Sequence, residues 1–157
     1  MARHAVRSVL LLLGAAAALL PAEAFAGGPY QYFALTPCRV VDTRNANSVD
    51  GGPALVAGQG RAFAIRGHCG VPTTAAAVTL NVTVVQPNIT GPPPWIAVWP
   101  SGQPRPPVST LNFTNADSAL ANGAIVPVST NAQDLAVILG ASGGTVHLLL
   151  DVTGYFE

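Results

Sequence analysis

The sequence predicts an all-β, antiparallel sandwich of about nine short strands, of jelly-roll or Ig-like type. Three observations carry this. β-type runs recur through the chain, each bounded by Gly, Pro, Asn or Asp. No window after residue 26 has a convincing helical period. Residues 75–85 alternate, with Val78, Leu80, Val82 and Val84 on one face and Thr79, Asn81, Thr83 and Val85 on the other.

The elements follow in order. Tyr30–Leu35 and Arg39–Thr43 read as two strands split by Thr36-Pro37. Residues 45–60 are rich in Asn, Gly and Asp and read as a long loop. Arg61–Arg66 points Phe63 and Ile65 one way. Ala75–Val85, Trp95–Trp99, Val108–Phe113, Ala124–Val128, Leu135–Leu139 and Thr145–Val152 complete the set. Eight of the fourteen prolines fall in residues 86–107. Proline cannot donate to a ladder, so the strand within that stretch is expected at an edge or in a protruding hairpin. The bland reading of the arm is a stiff loop that blunts a sheet edge; the sharper one is a polyproline II recognition element.

Residues 1–26 read as a secretory signal peptide. Arg3, His4 and Arg7 are its basic start, Val9–Leu20 its twelve-residue apolar run, and Ala24-Phe25-Ala26 the cleavage site. Twelve helical residues span about 18 Å, short of a ~30 Å hydrocarbon core. The remaining segment, residues 27–157, reads as one domain with no membrane span, secreted to the cell surface or exterior, with a periplasm as the other destination.

Composition excludes several functions. All seven cations are arginine, balanced by seven acids, so the formal charge is zero. Without lysine there is no Walker A lysine and no Schiff base. Zero net charge argues against nucleic acid as partner. Cys38 and Cys69 are the only cysteines, and both lie in the exported part, where disulfides persist. One bridge between them would close a loop of about 30 residues, worth ~3–4 kcal/mol. Free thiols are the first alternative. The second is a metal pair with His68 or His147, whose spacing matches no standard zinc site.

Several stretches together resemble a widespread group of secreted bacterial all-β domains, found alone or attached to exported enzymes and surface proteins. They are Leu35-Thr36-Pro37-Cys38-Arg39-Val40-Val41-Asp42-Thr43-Arg44, Cys69-Gly70-Val71-Pro72, Leu80-Asn81-Val82-Thr83-Val84-Val85 and Asp151-Val152-Thr153-Gly154-Tyr155-Phe156. Ser109–Phe113 and the Gly-Gly-Thr-Val-His of 143–147 fit as well. The chain departs from the pattern at Gly91–Trp95, where three prolines enter the strand. The resemblance implies an extracellular, non-catalytic module and assigns no functional residue.

Asp42, Arg44 and Arg39 are candidates for a structural ion pair, with a charged binding site as the sharper reading. Trp95 and Trp99 share a strand face, with rings about 13 Å apart. They could serve as core, as a subunit interface or as a platform for sugar rings. No catalytic residue is predicted. No Gly-x-Ser-x-Gly elbow occurs, and His147 and Asp151 lie about 13 Å apart along one strand, too far for a dyad. No cofactor or metal is expected. The functional expectation is a secreted surface or matrix module that acts by self-association or partner binding. Its partners would be further copies of the chain, a polysaccharide or another surface protein. The alternative is a carbohydrate-binding module using Trp95 and Trp99.

Overall fold

The computed structural model describes residues 29–157. The predicted signal peptide lies outside them. The described chain is a sandwich of two antiparallel sheets built from nine strands. These are β1 (Tyr32–Asp42), β2 (Leu55–Val56), β3 (Gly60–Phe63), β4 (Ala77–Thr90), β5 (Trp95–Pro100), β6 (Leu111–Asn112), β7 (Ala119–Pro127), β8 (Leu135–Gly140) and β9 (Gly143–Phe156). The larger sheet runs β1-β9-β4-β7, with β2 also beside β9; the smaller runs β3-β8-β5-β6.

Period-two alternation builds the core. On β4, Val78, Leu80, Val82 and Val84 point inward, and on β9 Val146, Leu148, Leu150 and Val152 do the same, all at most 2% exposed. The smaller sheet answers with Phe63, Ile96, Leu135, Val137 and Leu139, each 0% exposed. Burying each such side chain is worth about 1.5–3 kcal/mol, so this inner layer is the main source of stability.

Two proline-containing breaks expected from the sequence are bulges. Thr36-Pro37 does not split two strands: β1 continues through it, with a register shift against β9 between Ala34 and Cys38. Likewise β4 does not stop at Val85. It shifts register between Val85 and Asn88, with Gln86 at φ 52°, and pairs on to Thr90. A bulge leaves one residue unpaired, which is where a proline fits a ladder. Val108–Phe113, by contrast, contributes only the two residues of β6. β5 is not an edge strand, since it lies between β8 and β6.

Gly144 is required where β9 begins. Its φ is +99°, and an added Cβ would run into the backbone of Asn88 and Ile89 on β4.

Cys38 of β1 and Cys69, in the loop between β3 and β4, form a disulfide that ties that loop to the larger sheet. The same loop is held from the other side by Asp134, which is 1% exposed and accepts from Ile65 N (2.9 Å) and Arg66 N (2.8 Å). Replacing both cysteines by alanine should lower the unfolding free energy by about 3–4 kcal/mol in denaturant titration. A loss below about 1 kcal/mol would mean that Asp134 and the core alone hold the loop.

Candidate functional site

Three surface features are candidates, and the residues singled out in the sequence account for two. The first lies on the outer face of the larger sheet. Register places Asp151 of β9 opposite both Arg39 of β1 and Asn81 of β4. Arg39 forks onto Asp151, with Nε–Oδ1 at 2.7 Å and Nη2–Oδ2 at 3.0 Å. Its Nη1 reaches Asp42 Oδ2 at 3.5 Å. Asp42, 8% exposed, also accepts from the Arg44 backbone N–H (3.1 Å) and from its guanidinium (2.8 and 2.6 Å). The result is an alternating chain, Asp151–Arg39–Asp42–Arg44. Asp151 is the member that sequence reasoning missed. The signal available was a lone charge inside the apolar stretch Leu148–Val152, which needs a cross-strand partner.

These bonds hold the Asp42 carboxyl well below its ordinary range, from 3.8 to about 2, chiefly through the Arg44 guanidinium. The Asp151 carboxylate in turn raises the Arg39 pKa. Both effects favour the charged forms of Asp42 and Arg39, so neither is poised as an acid or base near neutral pH.

His147 sits nearby without a carboxylate. Its Nδ1 is 3.0 Å from the Thr43 carbonyl and 3.2 Å from Thr43 Oγ1, and Thr43 Oγ1 accepts from Leu148 N at 2.8 Å. This network pins the start of the 43–53 loop to β9. Among the described residues no three His, Cys, Asp or Glu side chains are grouped as metal ligands.

The second feature is the tryptophan face of β5. Ile96 and Val98 point into the core, and Trp95 and Trp99 lie half-buried on the other side. The Trp95 ring rests against Gly140, its cross-strand partner, where a Cβ would collide with the indole. The Arg105 guanidinium lies 5.2 Å from the ring centroid, a cation–π distance. Trp99 donates its indole N–H to the Gln103 carbonyl at 2.9 Å. The proline-rich arm thus folds back on the tryptophans, and the two rings do not form a bare platform.

The third feature was not singled out from the sequence. At one end of the larger sheet, a groove of about 620 Å³ is lined by Tyr30, Ala75, Ile125, Pro127, Val128 and Phe156, among others. Ile125 on β7 is 65% exposed and Tyr30 48%. Tyr32 and Phe33, also exposed, pack on Phe156 and Tyr155 at the same end, with centroids 5.2 and 5.0 Å apart.

No family model, curated protein or solved structure matches this chain.

The pH dependence follows from Asp42. Its folded-state pKa is depressed, so its contribution is fully present above about pH 4 and is lost as the pH falls through about 2. Wild type should therefore lose stability over that window, and Asp42→Asn should flatten this part of the profile in thermal melts. An identical acid limb in the two proteins would show that Asp42 is not held as described.

Proposed function

We propose that the chain is a secreted, non-catalytic surface or matrix module that acts by associating with further copies of itself. The observation that carries the reading is the apolar groove with Ile125 exposed on its rim. A contiguous apolar patch on a surface is a cost in water that a covering partner removes. The low charge of the whole chain supports the reading, because few like charges oppose assembly. The resemblance to secreted bacterial all-β domains and the disulfide agree with an exported module.

The carbohydrate-binding alternative rests on Trp95 and Trp99. Sugar stacking needs an open ring face, and Trp95 already contacts Gly140 and Arg105. Association is therefore the better-supported reading.

Light scattering coupled to size exclusion on residues 27–157, oxidised, should report a closed oligomer or fibre whose mass grows with concentration. A monomer at every concentration would refute the proposal.

A further inference from the structure

We infer that two copies join edge to edge through β7, antiparallel about a two-fold axis at Asn122, so that the larger sheets form one continuous sheet. This rests on the association reading and names its interface.

β7 is one of the two ends of the β1-β9-β4-β7 order; the other, β1, carries Arg39, Pro37 and a bulge. It pairs with β4 without a register shift. Two bonds beyond the strand ends, Val128 N to the Ala76 carbonyl and Gln86 N to the Ser118 carbonyl, fix which residues bond to β4. Antiparallel pairing alternates, so Leu120, Asn122, Ala124 and Val126 direct their backbone groups at β4. Ala119, Ala121, Gly123 and Ile125 direct theirs outward. Among the described residues no hydrogen bond engages those outward groups. Ala119, Ala121, Gly123 and Ile125 are all exposed, so no other part of the described chain covers this edge.

Natural edges are usually blunted by charge, by proline or by a bulge. β7 carries no charged residue, no bulge against β4, and a single proline as its last residue. Its outward groups are also self-complementary. With the axis at Asn122, Ala119 faces Ile125 of the other copy and Ala121 faces Gly123. All four outward residues then fall into hydrogen-bonded pairs. Moving the axis to Gly123 sets Pro127, which has no N–H, opposite Ala119. Moving it to Ala121 pushes Ile125 past the end of the other strand. The sequence thus selects one register. In that register Ala119 lies beside the bulkier Ile125, and Asn122 lies beside its own counterpart. Asn122 donates from Nδ2 to the Thr110 carbonyl at 2.7 Å, which leaves its Oδ1 free to accept from the partner.

Two variants test this. Proline at 121 removes an outward N–H and no bond to β4, so Ala121→Pro should fold, with the wild-type melt at concentrations where both are monomeric, yet weaken association at least tenfold in sedimentation. Cysteine at 122 would face itself in a non-hydrogen-bonded pair, where Cβ atoms lie about 4.5–5.5 Å apart. Asn122→Cys should therefore run as a covalent dimer on a non-reducing gel, and the Ala121→Pro/Asn122→Cys double variant as a monomer. An oligomer that Ala121→Pro leaves intact, or the absence of the Asn122→Cys crosslink, would overturn the β7 interface while sparing self-association. A wild-type monomer would overturn both.

Discussion

Scarcity of charge is the constraint on which the rest of the molecule depends. Residues 29–157 carry five arginines, and all five are committed to local partners. Arg39 and Arg44 are bound to Asp151 and Asp42, and Arg66 to Asp134. Arg61 donates to the Pro53 and Gly51 carbonyls and lies over the Phe63 ring. Arg105 caps Trp95. Every arginine thus tethers a loop or a strand end, and none is left to guard β7. Charge, one of the devices that keep a sheet edge solitary, is absent along β7, whereas the other edge of the larger sheet, β1, carries Arg39 and a bulge.

The same economy explains the shape of the larger sheet. β9 is flanked by β1, β2 and β4, so a one-residue slip in its register would turn Leu148 and Leu150 out of the core. The inner apolar face resists such a slip, and the outer face adds a second lock. Asp151 fits only opposite Arg39 and Asn81, and Thr153 Oγ1 reaches Thr79 Oγ1 at 3.0 Å. Exposed ion pairs are worth little on their own. Here the bidentate geometry and the partial burial of Asp42 make the cluster a positional constraint more than a source of stability.

The strands with strong alternation were legible in the sequence, as was the apolar inward face of β4, because side-chain period decides them locally. Three things were not. Thr36-Pro37 read as a strand break and β4 as ending at Val85, since a bulge becomes visible only once the partner strand is in place. The Arg39–Asp151 pair needs the β1–β9 register, which joins residues 112 positions apart. The first half of β7, Ala-Leu-Ala-Asn-Gly, holds residues poorly suited to strands. Pairing with β4 imposes the extended form there, so a short strand over Ala124–Val128 was all that local propensity could suggest. The candidate association surface stayed hidden for the same reason, because Ile125 is exposed only in relation to that pairing.

Hydrogen–deuterium exchange measured across a dilution series tests the central claim most directly. Ala121, Gly123 and Ile125 carry outward amides that are free in a monomer, whereas the amides of Leu120, Asn122 and Ala124 are bonded to β4 at any concentration. The account predicts that the outward set becomes protected as concentration rises, while the inward set does not change. Outward amides that exchange at the same fast rate throughout would contradict it.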